Sequence, residues 1–175
     1  TVAFDTGVAN FLKWQFVKSE EKAVYEYGAL GESVSKVTVT VLEDGVKFTF
    51  VSTETANTFG YGVCLQATGG NALSVLYATT GNMAKQAYGD WAWGYNLPSA
   101  YGITASRTTV NGENVSEFFI PNEVLGVESV TELKFCLFET VNSGGSQYGI
   151  YNCCKNGENE IAIDGGTQNF LTVNV

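Results

Sequence analysis

The chain has no histidine, one methionine, two prolines and only nine basic residues among 175. Without histidine, neither a Ser–His nor a Cys–His nucleophile pair can be assembled, because each needs an imidazole to take the proton. The basic residues are scattered singly among eighteen acidic ones, for a formal net charge of −9. A nucleic-acid partner needs a basic stripe that displaces counterions, so that class is excluded. No apolar run approaches the roughly 20 residues of a membrane-spanning helix, and no membrane partner is expected. Charged residues make up 15% of the chain, against about a quarter in ordinary globular proteins. Low charge beside 45% hydrophobic residues rules out a disordered chain.

What is present is alternation with period two, the mark of half-buried strands. Leu12, Trp14 and Phe16 alternate with Lys13 and Gln15, and Val37, Val39 and Val41 with Lys36, Thr38 and Thr40. Glu43-Asp44-Gly45 then reads as a hairpin turn in which Asp-Gly supplies positive φ, before Val46, Phe48 and Phe50. Further strands are expected over Tyr61 to Thr68, Leu73 to Tyr77, Thr104 to Val110, Glu117 to Ile120 and Thr131 to Phe138. The last three are Tyr148 to Tyr151, Glu160 to Ile163 and Phe170 to Val175. About ten short strands divided by Gly, Asn and Ser turns predict an all-β fold. The expected architecture is an antiparallel β-sandwich or jelly roll, one domain over residues 1–175, with one long aromatic-rich loop.

Leu12, Phe16, Val39, Phe48, Phe50, Leu65, Phe135, Leu137 and Val173 are the expected core, and Trp14 joins them on its apolar face. Helical periodicity is confined to Asn82 to Tyr88, enough for two turns, and Asn122 to Leu125, enough for one. Cys64 and Cys136 fall in strand-like runs where small apolar side chains pack. Cys153 and Cys154 are adjacent, not spaced as Cys-x-x-Cys, so thiols and a disulfide both stay open.

The interval from Thr79 to Tyr101 lacks strand character, and loops of that length in a compact domain are usually functional. It carries Lys85, Gln86, Tyr88, Asp90, Trp91, Trp93, Tyr95, Asn96 and Tyr101. On an extended backbone, Trp91 and Trp93 point to one side, roughly 6.5–7 Å apart, a spacing that suits successive rings of a polymer. Sugar C–H groups pack on the electron-rich indole face, and desolvation adds to the attraction. Gln86, Asn96, Lys85 and Asp90 then bond hydroxyls around the platform formed with Tyr88 and Tyr95. The plainer alternative is a loop that buries its own tryptophans as a mini-core. A second stretch, Glu139 to Gln147, reads as a Gly/Ser/Asn loop leading to Tyr148 and Tyr151.

A catalytic reading must rest on carboxylates: a glycosidase needs two, about 5–5.5 or 6.5–9.5 Å apart. Glu117, Glu132 and Glu139 are the candidates on strands, and none sits in an aromatic cleft motif. Neither Glu43-Asp44-Gly45 nor Asp164-Gly165-Gly166 has the oxygen density of a calcium loop. No cofactor is expected, and a structural calcium assembled from distant loops stays open.

Trp91-Ala92-Trp93 with Tyr88 and Tyr95, on a strand background rich in Gly, Thr and Val, resembles the bacterial noncatalytic carbohydrate-binding modules of the β-sandwich type. The resemblance implies a monomeric module of a larger secreted or cell-surface protein, holding it to an insoluble polysaccharide. Two tryptophans crowded on one Gly-flanked loop fit an arc better than a long flat strip. Starch or another α-glucan is therefore the favoured ligand, with a β-glucan or xyloglucan second. The rival classes are a small jelly-roll glycoside hydrolase and a protein-interaction or adhesion module.

Overall fold

A computed structural model describes residues 19–55, 58–78, 81–85, 96–143, 147–152 and 170–175. Among them, eleven strands form two antiparallel sheets, and the fold is an all-β sandwich. The first sheet has the order β1 (Glu21–Tyr27), β2 (Val34–Leu42), β3 (Gly45–Ser52), β8 (Glu113–Pro121), β7 (Thr104–Val110). The second runs β10 (Gln147–Asn152), β9 (Glu132–Ser143), β4 (Thr58–Ala67), β5 (Ala72–Ala78), β6 (Gly81–Lys85). A short β11 (Leu171–Asn174) also pairs with β9, beside Glu132 to Phe135.

The alternation seen in the sequence sorts the core. Val37, Val39, Val41, Val46, Phe48, Phe50, Phe118 and Ile120 from the first sheet meet Tyr61, Val63, Leu65, Leu73, Val75, Leu133, Phe135 and Leu137 from the second. Of the expected core, Val39, Phe48, Phe50, Leu65, Phe135, Leu137 and Val173 are buried as read. Leu12, Trp14, Phe16, Cys153, Cys154 and the strand expected at Glu160 to Ile163 lie outside the described residues. Phe48 meets Phe135 edge-on across the sheets, with ring centroids 5.9 Å apart. A second aromatic series runs outward from Phe50 to Tyr61 (5.3 Å) and on to Tyr77 (5.2 Å, stacked). It ends under the Arg107 guanidinium, 3.8 Å above the Tyr77 ring and paired with Glu54. The Tyr61 hydroxyl, deep in the core, lies 3.0 Å from Ser52 Oγ and 2.8 Å from Ser116 Oγ, tying the sheets together through polar groups.

The sheets differ on their outer faces. On the first, Lys36, Thr38, Lys47, Thr49 and Glu117 remain at least partly exposed. On the second, Cys64, Ser74, Leu76, Cys136 and Phe138 are buried as well. Cys64 and Cys136 are direct cross-strand partners, as expected of small apolar side chains in packed strands.

Several local expectations are corrected. The hairpin between β2 and β3 exists, but Asp44 and Gly45 do not take positive φ. Gly45 is instead needed because a Cβ there would fall 2.4 Å from the Ile120 carbonyl oxygen. Positive φ at both positions belongs to Asn111 (53°) and Gly112 (87°), which turn β7 into β8 in the Asn-Gly manner that matches strand twist. Strand β1 went unread because Glu21 and Lys22 obscure its alternation, although Ala23, Tyr25 and Tyr27 pack on the core. Of the two helical turns expected over Asn82 to Tyr88, the part beyond Lys85 lies outside the described residues, and Asn82 to Lys85 form strand instead. Those residues pair with β5, from Ser74↔Lys85 to Ala78↔Gly81, because an open sheet edge satisfies their backbone better than a marginal two-turn helix. The stretch from Glu139 is not a loop either, since β9 continues to Ser143 and Gln147 pairs back with it. The single turn expected at Asn122 to Leu125 is present as α1 (Asn122–Leu125).

Candidate functional site

The described ends of the aromatic-rich segment meet on the sheet edge. The chain leaves β6 at Lys85, its last residue, and re-enters at Asn96. Asn96 exchanges both backbone hydrogen bonds with Ala84, Ala84 N to Asn96 O at 2.8 Å and Asn96 N to Ala84 O at 2.9 Å. Ala84 is itself fully buried. Gln86, Tyr88, Asp90, Trp91, Trp93 and Tyr95 lie outside the described residues, so the structure positions only the two ends of the expected platform. Of the expected site residues, Asn96 is seen in full. It is exposed, and its Nδ2 donates to the Tyr101 hydroxyl over 2.8 Å. That bond uses one of the two amide N–H donors and leaves the other, with Oδ1 as an acceptor.

After Asn96 the chain makes a single 3₁₀ turn, Pro98–Tyr101, for reasons legible in its sequence. Pro98 presets φ at the first position and is buried, while Gly102 closes the turn at φ 77°. The result is a firm base: Pro98 is held inside, Leu97 is left 68% exposed, and the Tyr101 ring packs partly on the core. Leu97 adds apolar surface at the foot of the expected platform, and nothing in the sequence marked it out.

Tyr101 also lines an open cleft of about 310 Å³, together with Asn71, Gly102, Pro121, Glu123 and Val124. That volume sits at the small end of ligand sites, about 300–1,000 Å³. Three connections converge here: the turn between β4 and β5 brings Asn71, the 3₁₀ turn brings Tyr101, and α1 brings Glu123 and Val124. Asn71 Nδ2 donates to the Val124 carbonyl at 3.1 Å, and its amide packs against Gly126, whose φ of 74° ends α1. Asn122 fixes α1 from below, donating from Nδ2 to the carbonyls of Glu43 (2.8 Å) and Glu128 (3.0 Å). Sequence reasoning missed Asn71 and Glu123, because three separate connections meet at the cleft and no local pattern links them.

The candidate carboxylates are not brought together. Glu139 is completely buried and receives the backbone N–H of Glu32 (3.2 Å), Ser33 (2.9 Å) and Val34 (3.1 Å), with Ser33 Oγ at 2.6 Å. A carboxylate so occupied has no open position for a substrate. Glu117 lies on the outer face of the first sheet, bonded by Thr49 Oγ1 at 3.1 Å and 3.7 Å from Lys47 Nζ. Glu132 starts β9 and takes a 2.6 Å hydrogen bond from Thr68. Among the described residues, no group of three or more His, Cys, Asp or Glu gathers as a metal site would require. Asp164 to Gly166 falls outside them.

No family model, curated protein or solved structure matches this chain. The functional reading therefore stands on the residues and their geometry. Tyr148 and Tyr151 enter that reading only through their backbone, paired with Asn142 and Glu139 in the sheet.

Proposed function

We propose that this chain is a noncatalytic polysaccharide-binding module that acts outside the cell, with an α-glucan as its favoured ligand. Trp91 and Trp93 provide the stacking surface, Tyr88 and Tyr95 extend it, and Lys85, Gln86, Asp90 and Asn96 bond hydroxyls around it. The observation that carries the reading is the geometry of the loop base. Asn96 ties the end of the Trp-bearing segment to Tyr101, and Tyr101 opens onto a cleft of ligand size. A segment whose described end is bonded to the sheet edge, with that end linked to a cleft of both apolar and polar lining, supports the reading. The burial and saturation of Glu139 argues against the glycosidase alternative, since it removes one of the three candidate strand carboxylates from solvent.

Affinity electrophoresis in gels containing starch, xyloglucan or barley β-glucan tests the proposal. Retardation in starch exceeding that in the two β-linked polymers is the expected result. Retardation by the β-linked polymers alone would reassign the ligand, and none in any gel would favour a protein-interaction module.

A further inference from the structure

We infer that the cleft lined by Tyr101 and Glu123 is a subsite for one ring of an uncharged glycan, with the Glu123 carboxylate accepting hydrogen bonds from neighbouring hydroxyls. The inference rests on the carbohydrate-binding reading above and assigns a residue and a charge preference to it. Asn71 Nδ2 gives one of its two N–H bonds to the Val124 carbonyl, so the amide offers one further donor and its oxygen. The Tyr101 hydroxyl accepts from Asn96 and keeps its own proton to donate. The Glu123 side chain is exposed, and it bonds to no described residue. An ionised carboxylate only accepts. Against the single donors left on Asn71 and Tyr101, the Glu123 carboxylate and the Asn71 oxygen put acceptors in excess, beside apolar lining from Pro121, Val124 and Tyr101.

A ligand complementary to that set must bring several donors close together on an otherwise apolar frame. Adjacent hydroxyls of a sugar ring do so, and a bond from O–H to a carboxylate is of the stronger, charge-assisted kind. A uronic acid brings a second carboxylate instead. It meets Glu123 as a like charge, within a chain whose formal net charge is already −9. Glu123 therefore selects for neutral chains and against polyuronides. The volume of about 310 Å³ admits a ring or so and no long segment.

The test is a set of ¹⁵N-resolved titrations with maltotriose, cellotriose and trigalacturonate, following two groups of signals. The amides of Asn71, Gly102, Glu123 and Val124 report the cleft, and the indole N–H signals of Trp91 and Trp93 report the loop. A neutral trisaccharide that shifts both groups, with no response to trigalacturonate, is the expected result. Glu123→Gln should weaken the neutral trisaccharide about tenfold, ~1.4 kcal/mol, while leaving the spectrum otherwise folded. Indole shifts without cleft shifts would overturn the subsite and leave the module reading standing. Silence in both groups with every sugar would overturn both. Equal binding of trigalacturonate, or a Glu123→Gln variant of unchanged affinity, would overturn the role given to Glu123.

Discussion

Ser33 Oγ lies 2.6 Å from Glu139 Oε1, at the centre of a buried carboxylate clamp that holds the turn before β2 against the middle of β9. The backbone N–H groups of Glu32, Ser33 and Val34 complete it. Taking a carboxylate out of water is costly unless its lone pairs are filled, and here three backbone N–H groups and a hydroxyl fill them. Glu139→Gln turns an acceptor into a group with its own N–H donors facing those amides. It should cost about 3 kcal/mol, read as a lower urea midpoint at unchanged slope. Ser33→Ala removes one bond and should cost about 1 kcal/mol.

The hydroxyl bridge in the core gives a smaller effect of the same kind. Tyr61→Phe keeps the ring stack with Phe50 and Tyr77 but leaves Ser52 and Ser116 without their shared partner. A loss of about 1–2 kcal/mol is expected. Replacing Tyr61 and both serines with apolar residues should recover part of it, because no polar group is then stranded. Urea titration of the single and triple variants checks both statements.

Two glycines should separate conformational strain from steric contact. At Gly112 nothing lies within 4 Å of an added Cβ, yet φ is 87°. Gly112→Ala should therefore cost about 1 kcal/mol, all of it from the backbone. At Gly62 an added Cβ would fall 2.1 Å from the Val75 carbonyl oxygen of the adjoining strand. Gly62→Ala must push β4 from β5 and should cost clearly more than Gly112→Ala in the same melting series.

Much of this architecture was legible in the sequence, since period-two alternation fixes which side of a strand is buried. Val37 to Val41, Val46 to Phe50 and Phe135 to Leu137 sort as their alternation dictates. Misreadings occurred where tertiary context outweighed local pattern. Asn82 to Lys85 looked helical alone but found a free sheet edge. Glu139 looked like a strand end because a charged residue in mid-strand is unexpected, and only a turn remote in sequence supplies its donors. The cleft was unreadable for the same reason, since Asn71, Tyr101 and Glu123 share a site only after three connections converge. Of the aromatic loop, sequence pointed to the residues and the structure places its two ends.

Absence of catalysis is a separate expectation. Glu117 and Glu132 are bonded on the surface and Glu139 is sealed within the fold. Prolonged incubation with starch or barley β-glucan should release no reducing ends above a blank. Release that vanishes in Glu117→Gln or Glu132→Gln would instead identify a hydrolase.

The central claim is that Trp91 and Trp93 bind sugar and do not hold the fold together. It is tested most directly by melting and affinity electrophoresis on the same Trp91→Ala and Trp93→Ala proteins. Each variant should lose roughly 2 kcal/mol or more of polysaccharide affinity, the scale of an interface hot spot. Its melting temperature should stay within a degree or two of the parent, and binding should barely respond to salt, because stacking releases no counterions. Variants that melt early yet bind polysaccharide normally in their folded fraction would contradict the account and make the pair a mini-core.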